Sequence, residues 1–285
     1  MLHRSTIQLL RFHFSFFLLP VYLFALSQAP RINTQHALLI FMVLHFLLYP
    51  SSNGYNSYMD RDTTPIGGLR TPLQPTGQLY RITILMDVLA LILGLFISIY
   101  FSVGILLYIL ASRAYSCRQI RLKRYPVIGF LTVFVFQGAL IFYITYMGTN
   151  TADEGNVPIL PCIISSCLIA ALYPLTQIYQ HKEDKEDGVT TISYLVGKRG
   201  TFILSMCLFL AATILMYLYF DKRNQLHSWF RYLLIMLPVV LFFLTWMRRV
   251  WVSEQEANFK NSFRMNLIAT LCTSIYFVTL ILTKP

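Results

Sequence analysis

Residues 82–112 read Ile82-Thr-Ile-Leu-Met-Asp87-Val-Leu-Ala-Leu-Ile-Leu-Gly94-Leu-Phe-Ile-Ser98-Ile-Tyr-Phe-Ser-Val-Gly-Ile-Leu-Leu-Tyr-Ile-Leu-Ala-Ser112, with Asp87 as the single charge. As one helix the run would reach roughly 46 Å, against a hydrocarbon core of about 30 Å. As two helices it makes two short spans. Charge in the flanking loops decides between them. Two spans bring the total to nine and put the N-terminus inside and the C-terminus outside. The basic loop 113–124 then shares a side with Arg61, Arg70 and Arg81. Of the 23 Lys and Arg residues, only Arg31, Lys222, Arg223, Arg231 and Lys284 remain outside. One span would send 113–124 to the opposite side, against the tendency of Lys and Arg to stay in cytoplasmic loops. The predicted fold class is an all-α integral membrane bundle of nine transmembrane helices.

Composition agrees. The 285 residues are 56% hydrophobic and 12% charged, whereas a soluble domain carries about a quarter charged residues. Spans are predicted near 10–29, 36–55, 80–97, 98–113, 126–148, 157–180, 200–220, 228–248 and 263–283. They form a single polytopic membrane domain over 1–285, with no soluble domain. The net charge of +11 is read as topology signals, not as nucleic-acid binding. The five cysteines form no CxxC pair and read as small packing residues. The first apolar run reads as a span, since it lacks a small-residue cleavage site. Of the polar stretches, 149–156 holds Asp153 and Glu154 and reads as a plain external loop, while 51–80 and 181–199 lie inside.

Those two inside stretches echo each other. Residues 55–62 read Tyr-Asn-Ser-Tyr-Met-Asp-Arg-Asp, and residues 179–186 read Tyr-Gln-His-Lys-Glu-Asp-Lys-Glu. Each follows a helix returning to the cytoplasm, the second and the sixth. A duplicated four-helix unit, 1–4 and 5–8, with a ninth helix added is the expected organisation. Asn56 and Asp60 are four residues apart, on one helix face, and Gln180 and Asp184 repeat the spacing. Asp62, Glu183, Glu186 and Asp187 add carboxylates. So many like charges at a membrane surface call for neutralising cations. Oxygen-only ligands point to a hard ion, Mg²⁺ first, held by a few carboxylates and substrate phosphates. Residues 181–187 alone read equally well as a solvated turn with Lys/Glu pairs. Arg70, Arg118, Arg121, Lys123 and Arg124 lie in neighbouring loops, and Arg11 lies just within the first helix, where a charge needs a partner or a cavity. Carboxylates, a hard ion and Arg/Lys together suit a diphosphate. For 118–124 a topology signal or a lipid-headgroup patch is the other reading.

The segment Asn53-Gly-Tyr-Asn-Ser-Tyr-Met-Asp-Arg-Asp62, continuing to Ile66-Gly-Gly-Leu-Arg70, resembles the first Asp-rich motif of the UbiA-type membrane prenyltransferases. Tyr173-Pro-Leu-Thr-Gln-Ile-Tyr-Gln-His-Lys-Glu-Asp184, with Gly188 and Thr190, resembles their second. Ala114-Tyr-Ser-Cys-Arg-Gln-Ile-Arg-Leu-Lys-Arg124 is similar to their Tyr-and-Lys segment after the fourth helix. The resemblance implies nine helices around a central cavity capped by cytoplasmic loops. It implies Mg²⁺-dependent transfer of a prenyl group from an allylic diphosphate donor to an aromatic or other lipophilic acceptor within the bilayer. It also implies site roles: Asn56, Asp60 and Asp184 at the catalytic centre as metal ligands. Asp62, Gln180 and Glu183, read from the clusters themselves, are expected to join them as metal ligands. Tyr115, with Lys123 or Arg124, would meet the diphosphate; Arg70 and Arg11 are expected there from their charge and position alone. The chain departs from the pattern at Ser57, Thr64, Gln180 and Val189, where acids are usual.

The expected chemistry is ionisation of the donor, with the ion and the basic residues neutralising the leaving diphosphate. The carbocation needs a dry, aromatic-lined cavity. Gln137, Tyr143, Tyr173 and Gln177 are expected to line it, with membrane packing the alternative for the tyrosines. Gln137 and His45 are polar groups inside spans, which mark a cavity or an interhelical bond. Pro174 is expected to kink the sixth helix or free carbonyls near the site. Two other readings stay open. One is a degenerate relative that binds isoprenoid without turnover, suggested by the missing acids. The other is a small-molecule transporter, although transporter repeats place polar groups near the midplane, not at helix ends.

Overall fold

The computed structural model describes residues 2–151 and 157–284. The expected external loop around Asp153 and Glu154 therefore lies outside the described residues. Among the described residues, nine helices are long and apolar enough to span a bilayer: α1 (Arg4–Gln28), α2 (Thr34–Asp60), α3 (Gly77–Leu95), α4 (Ile99–Ser116), α5 (Pro126–Thr149), α6 (Ile159–Gln177), α7 (Ile192–Asp221), α8 (Leu226–Val252) and α9 (Phe259–Leu282). The protein is an integral membrane protein. Residues such as Phe96, Tyr100, Ile159, Val252 and Leu282 stand fully outward, as a lipid-facing surface requires.

The 82–112 run breaks where two local signals coincide. Ser98 is the N-cap of α4 and accepts from the Phe101 amide at 3.0 Å, which satisfies one orphan donor of the new helix. Gly94, one turn before the break, leaves room for Phe101 and Ser102. Asp87, the lone charge in the run, is buried against Arg113 of α4, which also donates from its Nε at 3.0 Å. Ser51 of α2 donates to the same carboxylate at 2.5 Å. The Arg113 guanidinium lies 4.0 Å above the Tyr55 ring. One ion pair thus joins α2, α3 and α4, which is how a membrane tolerates the charge.

The most buried span is α6, which touches α1, α5, α7 and α9. It approaches α5 closely at Gly138, where a Cβ would stand 2.3 Å from the Ser166 Cα; only glycine permits that contact. Gly138 lies in a π-helical stretch, Phe134–Leu140, and α2 carries another at Val43–Leu48. Neither was foreseen from the sequence. π-helical turns recur at functional sites.

Two helices begin earlier than expected. α1 starts at Arg4, turns left-handed at Arg11 (φ 48°) and continues as a 3-10 stretch over Phe12–Leu18. α7 starts at Ile192 and is interrupted at Gly197 (φ 72°), a conformation that costs glycine little. Pro174 lies in the last turn of α6, where the Leu175 carbonyl accepts from the Ser262 hydroxyl of α9 at 2.8 Å.

Candidate functional site

The C-terminal ends of α2 and α6 open into one cavity of about 250 Å³. Both acidic segments border it. From the first come Asn56, Asp60 and Asp62; from the second, Gln180, Glu183, Asp184 and Asp187. Below them the walls are largely aromatic and aliphatic, including Phe14, Phe17, Tyr49, Tyr108, Phe136 and Leu172. The cavity has a charged mouth and largely aromatic and aliphatic walls, with Ser52, Gln137 and Asn266 as polar points in them.

Asp60 ends α2, with Arg61 left-handed (φ 56°) as the C-cap. Arg118 donates to the Met59 carbonyl at 2.7 Å, placing a cation where the helix dipole is negative. The Asp60 side chain is 6% exposed. Its Oδ2 accepts from Asn56 Nδ2 at 2.9 Å and from Lys123 Nζ. Arg121 stands 3.7 Å from Oδ1. Asn56 also donates to Ser116 Oγ at 3.0 Å. Arg121 is itself left-handed (φ 49°) and buried. It also pairs with the Asp187 carboxylate and donates to the Asp187 carbonyl at 3.2 Å. The loop after α4 therefore bridges the two acidic segments through Arg121.

The second segment is a loop and short helix, His181–Glu186, after α6. The Gln180 amide nitrogen bonds the Pro65 carbonyl at 3.1 Å. The Asp184 carbonyl accepts from the Val189 amide at 2.8 Å, while its side-chain Oδ2 is buried without a hydrogen-bond partner. Burial pushes the Asp184 carboxyl up to about 7; Lys123 opposes the shift, and Asp60, Asp62 and Glu183 add to it. Asp62 is pushed up to about 6 by burial and by Asp60, against Lys123 and Arg11. Two carboxyls poised near neutrality by burial and like charge form a site that a cation would relieve.

Arg11 reaches the same mouth. Its guanidinium donates to the Gly67 carbonyl at 3.0 Å and the Asn53 carbonyl at 3.1 Å. The Gly67-Gly68 turn sits against the break in α1, where a Cβ at Gly67 would meet the Phe14 ring at 2.8 Å. Gly68 has φ 81°. This turn closes one side of the mouth as a cap.

Deeper in, the Tyr115 and Tyr173 hydroxyls share a hydrogen bond, and Gln177 Nε2 donates to Tyr173 at 2.7 Å. Gln137, carried by the π-helical stretch of α5, lines the cavity. Ser52 of α2 and Ser112 of α4 bond at 2.6 Å in the cavity wall.

Three expected positions fall elsewhere. Arg70 is exposed and does not border the cavity; the turn at Gly67-Gly68 reverses the chain before it. Arg124 is exposed, stacked 4.7 Å from the Tyr125 ring, because the left-handed turn at Arg121 aims Lys123 inward and Arg124 outward. Tyr143 is 46% exposed on the outer face of α5. His45 is buried among Phe41 and Tyr49, with ring centroids at 4.8 and 5.2 Å, and does not reach the cavity.

Mg²⁺ binds through one or two carboxylates, with waters and substrate phosphates completing its shell. Among the described residues, no three His, Cys, Asp or Glu side chains converge as a cage. Asp60 and Asp184, which line this cavity and each keep one unpartnered buried oxygen, fit the sparser arrangement.

The profile of the UbiA prenyltransferase family matches residues 17–268. Among solved structures, the fold is similar to a UbiA homolog from Archaeoglobus fulgidus bound to DMAPP and Mg²⁺, with TM-score 0.72 and 21% identity over 98% of this chain and 100% of that one. A UbiA homolog from Aeropyrum pernix K1 in its apo form gives 0.68 and 17%, covering 94% and 97%. A structure of digeranylgeranylglyceryl phosphate synthase gives 0.60 and 19%, covering 98% and 97%. Among curated proteins there is no match. With the profile spanning most of the chain and the nine-helix fold agreeing, the chain belongs to the UbiA prenyltransferase family.

Proposed function

We propose that this protein transfers a prenyl group from an allylic diphosphate to an aromatic or other lipophilic acceptor within the membrane, with Mg²⁺ as cofactor. The observation that carries the reading is the single cavity with two unlike ends: carboxylates and cations at the mouth, aromatic rings below. Family membership supports it, as do relatives whose structures hold DMAPP or GPP with Mg²⁺.

The diphosphate would lie at the mouth. Asp60 and Asp184, each with one buried carboxylate oxygen that lacks a hydrogen-bond partner, would hold the metal ion there. When bound, the ion supplies Lewis-acid neutralisation of the leaving group. Arg11 and Lys123 add fixed positive charge beside it, worth more in a site that excludes water. The prenyl chain would descend between Phe14, Phe17, Phe136 and Leu172. The π faces of Tyr49, Tyr108 and Phe136 favour developing positive charge without offering it a lone pair of a strong base. The Tyr115–Tyr173–Gln177 chain separates mouth from interior and would orient the reacting carbon. We infer an orientation with the mouth and the N-terminus inside and the C-terminus outside, from the distribution of Lys and Arg.

Transfer is tested with the protein in lipid nanodiscs, Mg²⁺, an isotope-labelled allylic diphosphate and a lipid extract as acceptor source. Label is expected in an organic-extractable product. Label that remains wholly in the donor, though bound, would favour a non-catalytic isoprenoid binder. The cations already on Asp60 are the observation that keeps that second reading in play.

A further inference from the structure

The cavity does not end in solid packing on its α1 and α6 side. A smaller void of about 20 Å³ lies beyond it, between α1, α6, α7 and α9. Three side chains line both spaces: Phe17 of α1, and Ile169 and Leu172 of α6. On α6 the lining of the void runs from Leu172 back to Ser165, away from the mouth at Gln177. On α1 it runs from Phe17 to Phe24, away from Arg11. The void thus continues the cavity by about two helical turns. Its far end is shut by Phe24 and Phe277, both fully buried and stacked at 4.5 Å.

The partition between the two spaces is one side chain thick. Ile169 and Leu172, three residues apart, share a face of α6. Phe17 is held edge-on by Phe14 at 5.1 Å and by Phe263 at 5.8 Å. Ile169 is buried, and its branched side chain has little rotamer freedom in a helix. Leu172 is partly open and is the member that meets the contents of the cavity. Size adds a limit. A cavity of about 150 Å³ holds one benzene ring. The space of about 250 Å³ here must take a diphosphate and a prenyl tail together, which leaves room for a short tail.

We propose that Leu172, with Phe17 and Ile169 beside it, is the floor that sets donor length in this chain. Dimethylallyl and geranyl diphosphate fit above it, and geranylgeranyl diphosphate does not. The inference rests on the prenyltransferase reading for the chemistry of the donor, and on the two spaces for its length. Without the Leu172 side chain the cavity runs on as far as Phe24 and Phe277. Leu168 lines the void and not the cavity, so shortening it enlarges that space and leaves the floor closed.

The test gives the full chain in lipid nanodiscs Mg²⁺ and each of the three donors. Displacement of a labelled short donor reads binding, and pyrophosphate release reads turnover. In the wild type, geranylgeranyl diphosphate should bind at least about tenfold more weakly than the better short donor, the scale of a steric mismatch in an apolar pocket. Leu172→Ala should close that gap by about tenfold. Leu168→Ala should leave it, as should Leu172→Met, which keeps the volume. Equal binding of long and short donors by the wild type, a gap unchanged in folded Leu172→Ala, or one closed equally by Leu168→Ala would each overturn the floor. The wild-type order decides alone if Leu172→Ala fails to fold. Release from long and short donors alike overturns the floor and leaves prenyl transfer intact. Short donors preferred in binding, with no release, overturn transfer and leave the floor standing.

Discussion

At Asp60 and at Asp184, reached by the same four-residue spacing from Asn56 and Gln180, one carboxylate oxygen is buried without a hydrogen-bond partner; at Asp60 the other oxygen accepts from Asn56 and Lys123, and Arg121 stands 3.7 Å from the unpartnered one. The two segments share a pattern because both close a helix at the same membrane face, which turns an i, i+4 pair toward the shared cavity. They differ because the loop after α4 bonds Asp60 through Lys123 with Arg121 beside it, and meets the second segment at Asp187 and at Thr190, whose amide donates to the Arg124 carbonyl. Equal spacing in sequence therefore does not imply equal chemistry. What neutralises each aspartate is set by a third segment that belongs to neither.

The largest effects should come from the aspartates. Asp60→Ala and Asp184→Ala should each lower Mg²⁺-dependent pyrophosphate release by about 10²–10³-fold, the scale for losing electrostatic stabilisation of a leaving group. Both variants should also weaken Mg²⁺ binding, since each aspartate has one buried oxygen without a hydrogen-bond partner. Full activity in either variant would break the comparison at that end.

Lys123→Ala comes next. It strips one cation from a nearly buried carboxylate, which should cost up to about 3 kcal/mol of stability, less what Arg121 and Asn56 still supply. Thermal unfolding in detergent reads it. The neighbouring Arg124→Ala should stay within about 0.5 kcal/mol, as an exposed side chain does. Equal losses would mean that the loop is not directional.

A pH titration sharpens the second segment. The folded-state carboxyls of Asp62 and Asp184 sit at about 6 and about 7, above the ordinary 3.8. Between about pH 4 and pH 7 the metal-free folded state holds protons that the unfolded chain has released, so its stability falls as pH rises through that window. A divalent ion removes that penalty and must displace those protons to bind. Added Mg²⁺ should therefore raise the unfolding midpoint clearly at pH 8 and little at pH 5.5. An equal rise at both would show that these carboxyls are not the ligands. The smallest effects are expected at Arg70→Ala and Tyr143→Phe, within about 0.5 kcal/mol in transition-state stabilisation, because neither borders the cavity.

Helix number and register were legible because a bilayer imposes length and loop charge on the sequence. The break at Ser98 was needed on both counts, and the N-cap is there. The shared location of Asn56, Asp60, Gln180 and Asp184 followed from helix periodicity. What the sequence hid was direction within loops. Five basic residues between Arg113 and Arg124 look equivalent in a row, yet a left-handed turn at Arg121 separates Lys123 from Arg124. Arg70 was misjudged for the same reason, since a glycine turn precedes it. Tyr143 failed because the π-helical stretch before it shifts the face that α5 presents to the cavity, which a 3.6-residue period does not describe. Asp87 was visible as an anomaly, but its partner Arg113 was read only as a topology signal.

The most direct test of the account is pyrophosphate release by the purified protein given Mg²⁺ and allylic diphosphates of several chain lengths. The account predicts release with at least one donor, abolished by chelator and by Asp184→Ala. Donor bound without release would contradict catalysis, and no donor binding at any length would contradict the site itself.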